Sequence, residues 1–428
     1  MSRESGAPRR VLYCESNSDG TVGGSHRCLL NLIEGLDRSR YEPLAVFCEE
    51  HALMPRFRAA APVFVSTGRP SVRWGSDKRS GVDRLWQPAA VLARRATNAL
   101  LASMTVLDHV RFLREHRIDL IHLNNSISRH HALMVAARFT GAPVVCHERG
   151  LPVYGFSDRQ FGRRVALIIP ASQWIRARML EQGVSPANIR VMYDGLDAES
   201  IAPAQSSDAV RRSWGLRMDQ PVFGMIGNIR HWKGQETVVR ALIDVIRRGH
   251  DVACVFVGAA TEEDQDYLAL LNRLISEAGI EANCRFTGYQ SDVPSLIDAM
   301  DFIVHASVAP EPFGMVVLEA MAQHKAVIGA RAGGVTEMVI DGETGLTFPS
   351  GDWRSLAAHI VTLLDDRALA ARMGERGHHR VVTAFSLARY VADVQAAYDA
   401  ALAGGPATAP DMKSGALSPF RGTSHRDS

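Results

Sequence analysis

The chain contains no apolar run of roughly 18 residues, so no membrane-spanning helix is expected. Its six cysteines, Cys14, Cys28, Cys48, Cys146, Cys254 and Cys284, are scattered and form no Cys-x-x-Cys pair. That scatter argues against a disulfide framework or a zinc site and suits a reducing cytoplasm. Gly-x-Gly-x-x-Gly and Gly-x4-Gly-Lys-[Ser/Thr] are both missing, which removes the dinucleotide fingerprint and the P-loop as readings. Beyond the opening MSRESGAPRR the first apolar stretch is only a strand-like VLYC, so a signal peptide is not expected.

What is present is a globular composition, 46% hydrophobic and 22% charged over 428 residues. That length favours two domains over one. The net charge of +2 is unevenly spread: residues 1–200 hold 27 Lys and Arg against 19 Asp and Glu, the remainder 21 against 27. A basic half suits an anionic partner such as phosphate or a lipid surface. A nucleic-acid partner is not expected.

Short apolar segments alternate with helical patterns. In the first half RRVLYCES, EPLAVFC, IDLIHLNN, APVVCHE and VALIIPAS read as strands. PVFGMIG, VACVFVG, CRFTG, DFIVHAS and AVIGA restart the series in the second. Apolar strands alternating with helices imply parallel sheets buried on both faces. The expected fold class is therefore α/β, with two doubly wound, Rossmann-like domains. Their bounds are set at 8–197 and 206–385, with a helix over 386–403 and a disordered tail over 404–428. A basic insertion, 69–113, interrupts the first domain. It carries Arg69, Arg73, Lys78, Arg79, Arg84, Arg94 and Arg95 with Trp74 and Trp86. Two readings of it stand: a covering helix with a solvated basic face, or an element that docks on an anionic membrane.

Doubly wound sheets bind ligands outside the carboxyl ends of their strands. After the first strand Gly23 and Gly24 open a helix, where backbone N–H groups can approach an anion. After VFGMIG the loop NIRHWKGQE brings Arg230 and Lys233 to the same kind of place. After DFIVHAS, Glu311 stands at the mouth of a helix whose start offers the N–H groups of Phe313, Gly314, Met315 and Val316. Glu319 lies further along that helix, and its side chain leans back toward the same crevice. Carboxylates only accept hydrogen bonds when ionised. A ligand anionic in the middle and rich in hydroxyl groups at both ends fits this arrangement, which describes a sugar nucleotide.

The stretch EPFGMVVLEAMAQHKAVIGARAGGVTEMVIDGETGLTF resembles the Glu-x7-Glu signature of the retaining glycosyltransferases of family four. Weaker matches run through GGSHR, DLIHLNN, VVCHERG, MYDGLD, IGNIRHWKGQE and FTGYQSDVPSLIDAMDFIVHAS. The resemblance implies the GT-B architecture, two Rossmann-like domains with a deep interdomain cleft and a last helix crossing back. The N-terminal domain would take the acceptor and the C-terminal domain the nucleotide sugar. It also assigns roles: Glu319 to the ribose, Glu311 and the amides of Phe313, Gly314 and Met315 to the donor sugar. Lys233 falls on the diphosphate, Gly24 touches it from the other domain, and His147 stands in the cleft near the transferred sugar. Where the family usually has Arg after the glycine matching Gly227, this chain has Asn228, and Arg230 is the nearest replacement. Where the family usually has Asn in the hinge, this chain has Asp194, a change expected to matter little.

The implied activity is metal-independent, retaining transfer of a hexose-type sugar from a nucleoside-diphosphate sugar to a glycan or lipid-linked acceptor in cell-surface polysaccharide or glycolipid biosynthesis. No cofactor is expected. The one Asp-x-Asp, Asp264 and Asp266, falls in the first turn of a helix, where acids are favoured without a metal. The expected location is the cytoplasm, with docking on the inner face of the cell membrane if the insertion is a membrane element. Two other readings remain on the same architecture: a sugar-nucleotide epimerase, and a sugar-nucleotide-binding regulator without transfer activity.

Overall fold

The structure, a computed structural model, describes residues 6–17, 22–65, 103–150 and 153–404. Most of the basic insertion and the tail lie outside these residues. Two six-stranded, all-parallel sheets form the frame. The first holds β1 (Arg9–Glu15), β2 (Tyr41–Phe47), β3 (Val63–Val65), β4 (Leu120–Asn125), β5 (Val144–Glu148) and β6 (Leu167–Pro170), in the order β3-β2-β1-β4-β5-β6. The second holds β7 (Val222–Ile226), β8 (Ala253–Val257), β9 (Cys284–Phe286), β10 (Phe302–His305), β11 (Ala326–Ala330) and β12 (Gly345–Phe348), in the order β12-β11-β10-β7-β8-β9. Counted from its own first strand, the second sheet repeats the order of the first.

The helices of the first domain are α1 (Gly24–Glu34), α2 (Met54–Ala60), α3 (103–115), α4 (His131–Thr140), α5 (Phe156–Gly162) and α6 (Gln173–Glu181). Those that follow are α7 (Ser207–Ser213), α8 (Gln235–Arg247), α9 (Gln265–Ala278), α10 (Val293–Asp298), α11 (Met315–Ala322), α12 (Val335–Met338), α13 (Trp353–Asp365), α14 (Arg367–Ala384) and α15 (Leu387–Leu402). Val, Ile, Leu and Phe fill both faces of every central strand, because helices cover both sides. Each sheet therefore has two apolar layers. No helix among the described residues is long and apolar enough to cross a membrane.

The chain passes between domains twice. Leu196 and Ser386 pair across the two crossings, with Leu196 N–H on the Phe385 carbonyl (2.9 Å) and Leu387 N–H on the Leu196 carbonyl (3.0 Å). Beyond that point α15 returns to the first domain, where Tyr390, Val391, Val394, Ala397, Tyr398 and Ala401 join its core.

Candidate active site

Each sheet has a switch point, where neighbouring strands send their chains to opposite faces. It lies between β1 and β4 in the first domain and between β7 and β10 in the second. Helix starts and strand ends collect there.

In the second domain two glycines shape the site. Gly234 (φ 81°) ends the loop before α8, and a Cβ there would sit 2.1 Å from the Ala306 carbonyl oxygen. The loop can thus lie directly on the end of β10 and carry Lys233 with it. Gly333 (φ 70°) lets its own loop close on Glu311, since a Cβ there would lie 2.0 Å from the Glu311 carbonyl oxygen. Between these loops the Glu311 carboxylate accepts from Lys233 Nζ (2.8 Å), His305 Nε2 (2.7 Å) and Ser307 Oγ (2.9 Å). Burial pushes its carboxyl up. The charge and hydrogen bond of His305, then those of Lys233, outweigh that and hold it well below the usual carboxylate range. It is ionised at neutral pH and fixed by three donors.

Gly314 (φ 122°) precedes α11, and Met315 and Val316 fill its first two positions. Their N–H groups have no carbonyl partner within the helix and give its start a positive potential. Phe313 is buried, its ring stacked on Tyr193 at 6.1 Å. Glu319 lies one turn beyond Met315, and its side chain is 16% exposed. Burial raises its carboxyl pKa, against the pull of Arg27, whose Nη1 is 3.6 Å away on α1 of the first domain. At Gly24, a Cβ would stand 3.5 Å from Met315 Cγ. The starts of α1 and α11, which come from different domains, therefore face each other.

Arg230 pairs with Asp264 (Nε to Oδ2, 3.4 Å), and Thr261 also donates to Asp264 (2.6 Å). Asn228 follows Gly227 at the end of β7 with its side chain exposed, while its carbonyl accepts from Gln235 Nε2 (3.0 Å).

The first domain's switch point is polar but differently wired. The Glu15 carboxylate accepts from the side-chain amides of Asn124 and Asn125 and from Asn17 N–H. Asn125 adopts a left-handed backbone (φ 87°), uncommon for a residue other than glycine. Behind this cluster Arg149 donates to Asn124, to both Asp194 oxygens and to Tyr390 OH (2.6 Å).

The domains are also fastened away from the cleft centre. Glu337 on α12 accepts Gln173 N–H and Trp174 N–H at 2.8 Å each, capping α6 from the other domain, and accepts Tyr193 OH as well (2.8 Å). Beside it the Ser172 hydroxyl donates to the Pro312 carbonyl (2.7 Å).

Comparison with known proteins settles the family. A profile described as glycosyl transferases group 1 matches residues 206–380, and one described as glycosyl transferase 4-like domain matches residues 23–195. The chain belongs to the group 1 glycosyltransferases. The GDP-mannose-dependent alpha-(1-6)-phosphatidylinositol monomannoside mannosyltransferase of Mycolicibacterium smegmatis is 28% identical over 305 residues, which is 67% of this chain and 78% of that relative. The lipopolysaccharide core mannosyltransferase LpcC of Rhizobium leguminosarum is 29% identical, over 50% of this chain and 60% of that one. Among solved structures, Anabaena HepE in complex with UDP is 25% identical with a TM-score of 0.73, covering 90% of this chain and 98% of its own. Sucrose-phosphate synthase of Thermosynechococcus elongatus shares the fold at 18% identity and a TM-score of 0.69, over 93% of this chain and all of its own.

In this glycosyltransferase the structure brings Lys233 onto Glu311 beside the start of α11, where Phe313, Gly314, Met315 and Val316 lie and Glu319 follows, with Gly24 facing Met315; Arg230 is turned to Asp264, and neither Gly23 nor Asn228 is hydrogen-bonded to this group. It corrects two expectations. His147 has no exposed surface: its Nδ1 meets His122 Nε2 (3.3 Å), and its ring lies beside Tyr390. Burial, then the neighbouring Arg149 and His122, hold its imidazole well below the usual range, so it is a neutral core group under α15. It does not line the cleft in this structure. Asp194, expected to matter little, is the counter-ion of Arg149, in a pair whose side chains are only 5% and 3% exposed. Sequence reasoning also missed His305 and Ser307 beside Glu311, and Arg27 opposite Glu319. The quoted segments DFIVHAS and GGSHR contained all three.

Proposed function

We propose that this enzyme transfers a hexose-type sugar, with retention of configuration and without a metal ion, from a nucleoside-diphosphate sugar to a glycan or lipid-linked acceptor. The observation that carries the reading is the Glu311 carboxylate, ionised and held by three donors at the mouth of α11, with Glu319 a short way along the same helix. Glu311 accepts from sugar hydroxyls, and Glu319 accepts from the ribose. The diphosphate lies between them, against the N–H groups at the starts of α11 and α1. Lys233 and Arg230 are the side-chain cations on the nucleotide-binding side.

In the transition state the bond from the anomeric carbon to the β-phosphate oxygen breaks, and negative charge collects on the departing diphosphate. Preorganised N–H groups and the Lys233 ammonium stabilise that charge, and removal of one such donor typically costs about 3 kcal/mol. The acceptor hydroxyl attacks from the same face and passes its proton to the β-phosphate oxygen. The amide-lined cluster of Glu15, Asn124 and Asn125 stands at the acceptor side.

Relatives named as mannosyltransferases of glycolipids and lipopolysaccharide core support a role in cell-surface glycan or glycolipid synthesis. The basic excess of the first 200 residues fits docking on an anionic inner membrane face. Calorimetry and turnover assays with UDP-glucose, GDP-mannose and related donors test the proposal, with and without EDTA. Tight binding of one donor and acceptor-dependent release of its nucleotide in EDTA are expected. No donor binding would refute it, and conversion of the sugar without acceptor would favour an epimerase. Turnover restored only by magnesium or manganese would refute metal independence.

A further inference from the structure

Three cations around the cleft rest on carboxylates. Lys233 lies on Glu311 (2.8 Å), Arg230 on Asp264 (3.4 Å) and Arg27 on Glu319 (3.6 Å). The first two pairs are each made within one domain. The third joins α1 of the first domain to α11 of the second.

We propose that Arg27 is a donor-binding residue supplied by the acceptor-side domain: it leaves Glu319 when a nucleoside diphosphate enters and closes on the diphosphate instead. The inference rests on the donor site described above. Arg27 is the fourth residue of α1, and a side chain at that position leans back toward the helix start at Gly23 and Gly24. The first turns of α1 and α11 carry no acidic residue, and the two helix starts face each other at Gly24 and Met315. Both ends attract anions. The Arg27 guanidinium is thus held by Glu319 beside a doubled anion site.

Arg27 stands 3.6 Å from one Glu319 oxygen, an ion pair without a hydrogen bond, so a ribose diol donating to that carboxylate competes with it and loosens it. A nucleoside alone offers the guanidinium nothing in return. A nucleoside diphosphate offers a bidentate anion on the same helix starts, the partner that guanidinium geometry matches best. One arginine therefore opposes the nucleoside and favours the diphosphate. It also ties ribose recognition on one domain to phosphate recognition from the other.

The test is isothermal titration of the wild type, Arg27→Ala and Arg27→Lys with four probes: uridine, UDP, guanosine and GDP. Arg27 is 40% exposed, so the variants should fold, and their melting temperatures check this. Expected for Arg27→Ala is a change of opposite sign within one nucleotide series: diphosphate affinity falls about tenfold, while nucleoside affinity rises. Arg27→Lys should recover part of the diphosphate affinity. Equal changes for nucleoside and diphosphate, or no change in either, would overturn the inference while leaving the donor site standing. If UDP and GDP both fail to bind the wild type, and ADP and TDP tried in their place fail as well, the donor-site reading itself is overturned and this one with it.

Discussion

The two sheets share one strand order, yet their switch points use charge differently. In the second domain the polar groups gather at the cleft: Glu311 and Lys233, with His305 behind them, form a cluster around the mouth of α11. In the first domain, Arg27 apart, they turn inward. Glu15 is surrounded by amide donors, and Arg149 is spent on Asp194 and Tyr390, at the joint between hinge and last helix. The same frame thus yields one wall with an ion-paired cluster at a helix mouth and another whose charges are buried and neutralised in place. Function here lies in the side chains at the switch point, since the topology is identical on both sides.

On this contrast, breaking buried charge in the first domain should cost stability, and breaking it in the second should cost activity. The largest stability effect is expected for Arg149→Met, which leaves Asp194 buried without a counter-ion. Urea unfolding should show a loss of about 3–5 kcal/mol, and the double change with Asp194→Asn should recover most of it. On the other wall, Glu311→Gln should lower kcat/KM by roughly 100-fold, corresponding to about 3 kcal/mol, with a smaller stability loss than Arg149→Met. A Glu311→Gln enzyme of normal activity would remove the distinction. Smaller again, Glu319→Ala should weaken nucleoside-diphosphate binding by about 1.5–3 kcal/mol, and unchanged affinity in calorimetry would refute its role.

The last effect concerns the inward wall and pH. Glu148, at the end of β5, is fully buried with one oxygen on Ile127 N–H (3.0 Å), and burial pushes its carboxyl up to about 8. At neutral pH it is protonated in the folded chain and ionised in the unfolded one. Folding therefore takes up a proton, and this group's contribution to stability shrinks as pH rises from the ordinary carboxylate pKa toward 8. Melting temperatures of Glu148→Gln should fall less than those of the wild type between pH 5 and 8. Parallel curves would show that the carboxyl does not titrate there.

Much of this was legible from the chain. The helical pattern after Glu311 placed that residue at a helix mouth and Glu319 on the helix itself, as α11 shows, and Lys233 followed from a basic loop before the next helix. The two strands that escaped, β3 and β12, are three and four residues long and sit at sheet edges, each with a partner on one side only. Length alone does not explain this, since the equally short edge strands β6 and β9 were read. His147 was misread because Tyr390, which lies over it, follows it by more than 200 positions. Asp194 is a hinge residue in sequence and a counter-ion only once β5 stands beside it. Arg27 lies on the half-exposed side of α1, and no local signal says that the other domain faces it.

The capping of α6 by Glu337 has a consequence for anyone who would recombine these halves. The segment between the two domains, residues 198–205, looks like the place to graft a foreign second domain onto this first one. A chimera joined there would inherit a helix whose first two N–H groups expect a carboxylate from the incoming partner, and whose Ser172 expects a carbonyl at the donor loop. Compatibility between halves is therefore decided at Gln173 and Trp174 rather than at the junction. A donor half lacking an acid at the place of Glu337 would be a poor graft, however well its own sheet folds.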